Sequence, residues 1–375
     1  MNRFRRRLVP AAAAFVAGAL ISCSSAERPP GPAGASQPEA GASASIDLAR
    51  AEAADFLERY VGTDGRVARI DQGGDTVSEG QAYAMLLAIV ADDPATFERV
   101  WGWTRQNLRR EDGLFSWHWD DGRVVDPQAA SDADLGVAWA LVLATQRFDR
   151  PAYEDEAARI ADAILSVETM RLGGDRVLVA GPWAKTTPGV VNPSYLTPSA
   201  FAALADATGD ATWTELARAS LDLIGSLTND APHLPPDWSR VAGDGDVQAS
   251  GAPGTGDAPR YGWDAVRVPL WLSASCEEDD RSIAARMWPF LRRAEKSSVA
   301  SVYSLKGEPV QNDPSASALV AAAAAAYAAG SDESGRALLA RAASMNERSP
   351  TYYGAALVAI GRALLETTLL ASCER

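Results

Sequence analysis

Apolar residues recur at three- and four-residue spacing along most of the chain, in Ala- and Leu-rich segments separated by Gly, Pro and Asp. This spacing predicts roughly a dozen helices, and the alternation typical of strands is scarce. Because helices joined by short connections pack as antiparallel hairpins, we expect an all-α fold in which about six hairpins close into a ring of inner and outer helices. The clearest predicted helices span residues 46–61, 79–91, 130–147, 153–167, 212–227, 315–329 and 352–370.

Two irregular stretches, residues 112–128 and 229–260, are too long to be simple connections between helices. Both carry aromatic residues, Pro and acidic residues. In a ring of helical hairpins the loops gather at the ends, so these two stretches are predicted to form the walls of a cleft.

The first 23 residues have a cationic start, a short apolar run and the tetrad Leu-Ile-Ser-Cys that ends at Cys23. This order is typical of an export signal, and the tetrad resembles the bacterial lipobox, in which the Cys is lipidated. We therefore expect residues 1–23 to be a lipoprotein signal peptide; the alternative is an ordinary cleaved signal with an incidental Cys. Residues 24–45, rich in Pro, Gly, Ala and Ser, are predicted to be a flexible tether to a folded domain at 46–375.

These features predict an exported protein, lipid-anchored to the cell envelope on its periplasmic or extracellular face, with no other contact to the membrane. An exported location would permit Cys276 and Cys373 to form a disulfide, and two unpaired buried thiols fit the sequence equally well. The net charge of −14, from 49 acidic and 35 basic residues, argues against a nucleic acid partner. A neutral or cationic polymer suits this charge better.

The inventory of side chains excludes several classes of chemistry. Only two His are present, His118 and His233, and neither has further ligands at metal-binding spacing, so no metal is expected. There is no nucleophile elbow, no phosphate-binding loop and no dinucleotide fingerprint, so no cofactor is expected either. Carboxylates and aromatic surfaces remain, and the 11 Trp and 9 Tyr could bind the flat faces of sugar rings. Glycoside hydrolysis is the reaction that needs these two groups and little else.

Glu79 is the first acid of interest, because it lies in the first turn of a predicted helix that is apolar or small on nearly every side. Ser78 is placed to cap that helix. A solvated Glu at a helix start is the alternative, since acids favour that end of the helix dipole.

At this point the sequence closely resembles family 8 of the glycoside hydrolases, formerly cellulase family D. Several of its patterns are similar to those of the periplasmic endoglucanases of bacterial cellulose-synthesis systems. The matches follow the family order over nearly the whole predicted domain. The segments that carry the resemblance are residues 76–85, 130–141, 192–195, 234–238, 261–269 and 352–353.

The resemblance implies an (α/α)6 barrel and an inverting mechanism, with Glu79 as the general acid and Asp264 as the general base. Asp132 would bind hydroxyl groups of the sugar at the cleavage point. From the residues alone, helix capping is the alternative for Asp132, with Asp134 in the same turn. Arg267 lies one helical turn beyond Asp264 and is well spaced to orient it.

The resemblance also implies an inverting endo-β-1,4-glucanase that acts as a monomer on cellulose or a related β-glucan. The alternatives are a hydrolase of xylan, mixed-linkage glucan or chitosan, and a glycan-binding lipoprotein without catalytic activity. Trp263 departs from the family, which commonly has Tyr just before the base. The residues expected to bind the sugar chain are Trp117, Trp119, Trp183, Tyr195, Tyr261, Trp263 and Arg267.

Overall fold

The computed structural model describes residues 37–296 and 299–370. This part of the chain contains twelve α-helices and eleven short strands, joined by turns and loops. The helices are α1 Gln37–Tyr60, α2 Ser78–Val90, α3 Pro94–Asn107, α4 Ser131–Arg147, α5 Ala152–Val167, α6 Pro198–Thr208, α7 Thr212–Leu227, α8 Arg267–Ser273, α9 Glu278–Leu291, α10 Ala316–Ala328, α11 Asp332–Arg348 and α12 Tyr352–Glu366. The strands are β1 Thr76–Val77, β2 Ser116–Asp120, β3 Arg123–Ala129, β4 Thr169–Leu172, β5 Asp175–Leu178, β6 Gly189–Val191, β7 Trp238–Val241, β8 Val247–Ser250, β9 Arg260–Tyr261, β10 Val302–Ser304 and β11 Pro309–Gln311.

The even-numbered helices form a closed inner ring. Each of them contacts the next even-numbered helix, and α12 returns to contact α2. The odd-numbered helices lie outside, and each packs against an inner neighbour. This arrangement is the (α/α)6 barrel that the helix count and the family resemblance predicted.

The sequences of the inner helices explain their position. In α2 every residue except Glu79 is buried, and α10 is buried from Ala316 to Ala326, mostly through Ala side chains. Small and apolar residues on all sides allow a helix to pack against neighbours in every direction. Outer helices such as α5 and α7 instead bury a single apolar face, so they cover the ring and expose their charged residues.

The strands form four small sheets in the loops, in the orders β1-β2-β3, β6-β7-β8, β9-β10-β11 and β4-β5. All pairings within them are antiparallel. The sequence analysis found few strand signals because most strands span only two to five residues, too short for an alternating pattern to stand out. The sheets occupy both stretches predicted to wall a cleft: β2 and β3 in 112–128, and β7 and β8 in 229–260.

Helix α1 begins at Gln37, inside the segment predicted to be a tether. Once the later part of α1 packs on the barrel, helix formation propagates at little cost into the Ala-rich residues before it. Cys276 is disulfide-bonded. Its predicted partner Cys373 and the predicted lipidation site Cys23 lie outside the described residues. Within residues 37–296 and 299–370, no helix is long and apolar enough to cross a membrane.

Candidate active site

Arg267 is the centre of a cluster at one end of the barrel. Its guanidinium is buried and donates hydrogen bonds to three carboxylates from three different segments. Nη1 donates to Glu79 Oε2 at 2.5 Å and to Asp132 Oδ2 at 3.1 Å, and Nη2 donates to Asp264 Oδ1 at 3.0 Å. The three acids that the sequence singled out therefore meet on one cation.

The starts of the inner helices bring these groups together. Glu79 and Asp132 are each the second residue of an inner helix, α2 and α4, and Arg267 is the first residue of α8. The positive end of a helix dipole stabilises a carboxylate in the first turn. Helix α2 begins at Ser78 itself after Val77, so Ser78 does not cap it as predicted.

The three carboxylates differ from the arginine in their exposure to solvent. The side chains of Glu79, Asp132 and Asp264 are 24%, 12% and 33% exposed, whereas that of Arg267 is only 2% exposed. A ligand in the cleft can therefore reach the acids directly. Arg267 was predicted to bind substrate. It lies beneath the acids instead, and it affects a ligand by holding the three carboxylates in position.

Two tyrosines complete the surroundings of Glu79 and Arg267. The Tyr83 hydroxyl accepts from Arg267 Nη1 at 3.0 Å, and the Tyr352 hydroxyl donates to Glu79 Oε1 at 3.4 Å. Burial and the nearby charge of Glu79 raise the pKa of Tyr352 well above its usual value, so this phenol stays protonated and remains a donor. Both oxygens of Glu79 thus have a donor.

The remaining donors of Arg267 point to the segment before α6. Nε and Nη2 donate to Ser194 Oγ at 3.2 and 2.7 Å, and Ser194 Oγ donates to Asn192 Oδ1 at 2.7 Å. The indole of Trp271 donates to the Ser194 carbonyl at 2.9 Å. These bonds fix the plane of the guanidinium, and with it the positions of the three acids.

The acidity of Asp132 is shifted by its surroundings. Burial raises its pKa to about 7, and the charges of Glu79 and Asp264 act in the same direction, while Arg267 opposes them. Its Oδ1 also accepts from the backbone of Ala133 at 2.9 Å, so local helix-start bonding and contact with Arg267 occur together. Near neutral pH this carboxyl is protonated part of the time, and it can then donate a hydrogen bond.

The proposed acid and base are close enough to act on one bond. Glu79 Oε2 and Asp264 Oδ1 are bound by neighbouring nitrogens of one guanidinium, at 2.5 and 3.0 Å. Because this group is small and planar, the two oxygens are at most about 8 Å apart. Carboxyl pairs of retaining glycosidases lie roughly 5 Å apart, and those of inverting ones roughly 6.5–9.5 Å apart. The shared guanidinium therefore keeps the two carboxyls close enough for both to act on one glycosidic bond.

A row of aromatic rings leads from the cluster to the surface. Arg267 lies over the ring of Tyr195 at 5.5 Å, Tyr195 is 6.2 Å from Trp238, and Trp238 is 6.3 Å from Trp183, which is 37% exposed. The Trp183 indole donates to the Ala129 carbonyl at 3.1 Å, which fixes that ring beside the start of α4. Such a row offers apolar faces along an extended ligand.

The comparisons with known proteins agree with this geometry. Residues 40–366 match the glycosyl hydrolases family 8. The chain belongs to this family. It is 36% identical to a probable endoglucanase of Novacetimonas hansenii, over 58% of this chain and 64% of the relative. It is 30% identical to an endoglucanase of Cellulomonas uda, over 58% of this chain and 61% of the relative.

The fold matches that of a solved family member. The structure of the endo-β-1,4-glucanase from Acetobacter xylinum superimposes with a TM-score of 0.73 and 28% identity, and the match covers 85% of this chain and 99% of that one. The sequence alignments with the two curated endoglucanases, in contrast, span less than two thirds of their length.

The other predicted sugar-binding aromatics of this family 8 chain lie in different settings. Trp263 is 39% exposed, and Trp117 is half-buried and stacks on His118. Trp119 is half-buried between Trp103 and the guanidinium of Arg66. Trp263 is therefore open to a ligand, whereas His118 covers one face of Trp117 and Trp119 contacts both Trp103 and Arg66.

Tyr261 does not fit its predicted role. It lies on β9 and is 1% exposed, and among the described residues its hydroxyl has no hydrogen-bonding partner. Apolar surroundings raise its pKa well above the usual range. Tyr261 is therefore a core residue that supports the Asp264 segment, and the prediction that it binds substrate is wrong.

Sequence reasoning gave no role to four groups that touch the cluster: Tyr83, Ser194, Tyr352 and Asp237. A signal was available for each, because all four lie within segments that carry the family resemblance. Their bonds to the acids and to Arg267 cross between distant segments, which spacing along the chain does not show.

Proposed function

We propose that the protein is an inverting endo-β-1,4-glucanase that hydrolyses internal bonds of cellulose or a related β-glucan. The observation that carries the proposal is the binding of Glu79, Asp132 and Asp264 by the single guanidinium of Arg267, at family positions and at the open end of the barrel. The endoglucanase names of the relatives support this substrate class.

In this proposal Glu79 protonates the leaving glycosidic oxygen, which is a poor leaving group without a proton. Asp264 takes a proton from a water molecule that attacks the opposite face of the sugar ring. Asp132, with its pKa raised to about 7 by burial, exchanges hydrogen bonds with hydroxyls of the sugar at the cleavage point. Tyr195, Trp183, Trp117 and Trp263 provide stacking surfaces along the chain.

The test is a parallel assay of reducing ends released from carboxymethyl cellulose, barley mixed-linkage glucan, xylan and chitosan. We expect the highest kcat/KM on a β-1,4-glucan. Proton NMR of the first products should show the α-anomer; an initial β-anomer would contradict inversion. Preference for xylan or chitosan would replace the substrate, and binding without any new reducing ends would favour a non-catalytic glycan-binding protein.

We further propose that the enzyme works as a monomer anchored through Cys23 on the periplasmic or extracellular face of the cell envelope. The lipobox-like tetrad after the apolar run supports the anchor. In a bacterial host, the wild-type chain should fractionate with membranes and incorporate labelled fatty acid, and Cys23→Ala should do neither. Light scattering on the domain without its leader should give the mass of one chain.

A further inference from the structure

The turn that carries Asp264 is held by a single buried carboxylate from another segment. Asp237 Oδ1 accepts hydrogen bonds from the backbone N–H groups of Gly262, Asp264 and Ala265, at 3.0, 3.2 and 2.9 Å. Asp237 also donates from its own N–H to the Arg260 carbonyl at 2.8 Å. One side chain thus organises the whole turn before α8.

The approach of this carboxylate is close enough to restrict the sequence of the turn. A Cβ atom added to Gly262 would lie 2.4 Å from Asp237 Oδ2, so the contact requires glycine at position 262. The turn leads directly into α8, whose first residue is Arg267. A shift of the turn would therefore move both Asp264 and the guanidinium that binds the three acids.

The charge of Asp237 is poorly compensated. Arg260 Nε is 3.4 Å from Oδ2, but the Arg260 side chain is 41% exposed and its charge is screened by solvent. The other titratable groups that face Asp237 are Asp264 and the buried phenol of Tyr261. Burial raises the pKa of Asp237 to about 6, and the charge of Asp264 acts in the same direction.

We propose that Asp237 is a positioning residue for the general base: it fixes the turn that presents Asp264, and the gain or loss of its own charge beside that turn changes kcat. The proposal rests on the proposed function, because it assumes that Asp264 is the base. The two roles of Asp237 separate experimentally, because Asn keeps the acceptor oxygen and loses the charge, whereas Ala loses both.

The test compares Asp237→Asn and Asp237→Ala with the wild-type enzyme in pH profiles of kcat and kcat/KM on a soluble β-1,4-glucan. For Asp237→Asn, kcat at its optimum should stay within about tenfold of wild type, since the turn keeps its acceptor. Its pH profile should lose the change near pH 6 at which the wild-type Asp237 gains a proton, because burial raises the pKa of Asp237 to about 6 and Asn is neutral at every pH. For Asp237→Ala, kcat should fall by on the order of 10²-fold at every pH, because the base is misplaced.

The matched control is Asp280→Asn, which neutralises another buried carboxyl. Asp280 lies on the outer helix α9 and accepts a hydrogen bond from the Ser275 hydroxyl. Its pH profile should superimpose on that of wild type. A profile of Asp237→Asn that also superimposes would overturn the charge role, and wild-type kcat in Asp237→Ala would overturn the positioning role.

Amide hydrogen exchange of residues 260–267 gives a readout that does not depend on activity. Exchange there should be faster in Asp237→Ala and unchanged in Asp237→Asn; equal protection in all three proteins would also overturn the positioning role. If the wild-type chain releases no reducing ends from any glucan, the proposed function fails, and the pH role of Asp237 fails with it. The hydrogen-exchange comparison still decides whether Asp237 anchors the turn.

Discussion

Nη1 of Arg267 donates a 2.5 Å hydrogen bond to Oε2 of Glu79, which lies 188 positions earlier in the chain. The bond joins the first turns of α2 and α8, two inner helices of the barrel. Because Arg267 also binds Asp264 and Asp132, removing it would both separate the acids and leave their charges without a partner.

We expect Arg267→Met to abolish activity and to lower the free energy of unfolding toward the lower end of the roughly 3–5 kcal/mol typical of a broken buried ion pair, because the three carboxylates are partly exposed. Arg267→Lys should also be inactive, since one ammonium cannot reproduce the fork of bonds to three acids. Urea unfolding and reducing-end assays measure the two effects.

Arg362→Met is the matched control, because Arg362 is also buried and binds two carboxylates, Glu52 and Glu366, away from the cluster. It should be destabilised to a similar extent and keep the kcat of the wild type. Equal loss of activity in both variants would show that stability, and not the arrangement of the acids, explains the effect at Arg267.

For the role of Glu79 itself, we predict that Glu79→Gln lowers kcat on a glucan by at least roughly 10²-fold, because the amide cannot supply the proton. Gln keeps one acceptor oxygen for Arg267, and its NH2 group can donate to the Tyr352 hydroxyl, so the fold should be unchanged. With a dinitrophenyl cello-oligosaccharide, whose leaving group needs no proton, the loss should be much smaller. An equal loss on both substrates would argue against general acid catalysis by Glu79.

The sequence predicted the barrel well because most of its helices are apolar or amphipathic segments of more than ten residues, separated by Gly, Pro and Asp. The helix predicted at 212–227 has the observed bounds of α7, and the helix predicted at 79–91 is displaced by one residue from α2. Glu79 was noted as the acid in the first turn of an apolar helix, and its role as the general acid came from the family resemblance. Asp264 and Asp132 came from the family resemblance.

What the sequence did not predict depends on contacts between distant segments. Tyr261 was among the predicted sugar-binding residues and lies in the segment that resembles the family's base segment, yet its side chain is buried in the core. Asp237 is 27 residues from Asp264, and only the folded loop brings its carboxylate to the backbone of that turn. Neither side chain leaves a periodic signal.

Gly80 provides a steric test of the Tyr352 contact with Glu79. A Cβ atom at position 80 would lie 2.7 Å from the Tyr352 hydroxyl, which donates to Glu79. Gly80→Ala should therefore displace the phenol and lower kcat by roughly tenfold, within the range of a lost positioning contact. Steady-state kinetics on a soluble β-1,4-glucan measure the change.

The control is Gly102→Ala in α3, where an added Cβ meets no atom within 4 Å. This variant should keep the wild-type kcat and gain up to about 1 kcal/mol of stability, because Ala favours the helix. Wild-type kcat in Gly80→Ala would mean that the Tyr352 hydroxyl is not needed at Glu79.

Behind Asp132 lies a pair of fully buried carboxyl groups, Asp134 and Glu168. Asp134 Oδ1 accepts from the backbone of Phe115 at 2.8 Å, and the side chains of Asp134 and Glu168 hydrogen-bond to each other through a carboxyl proton. Burial, reinforced at Glu168 by the charge of Asp134, raises the pKa of both groups well above the usual range. The folded protein therefore keeps protons on this pair that the unfolded chain releases.

Such a pair makes stability depend on pH in a defined direction. Because the folded pKa values exceed the unfolded ones, the stabilisation is complete below the ordinary carboxyl range and is lost as the pH rises toward the folded values. We predict that Glu168→Gln weakens this loss, because the amide is neutral at every pH and its NH2 group can donate to Asp134 Oδ2. Urea unfolding at pH 5, 6.5 and 8 should show the stability of the variant gaining on that of wild type as the pH rises. Asp162→Asn, at an exposed position on the same helix α5, should follow the wild-type curve, and a Glu168→Gln curve parallel to wild type would exclude a shared proton at this pair.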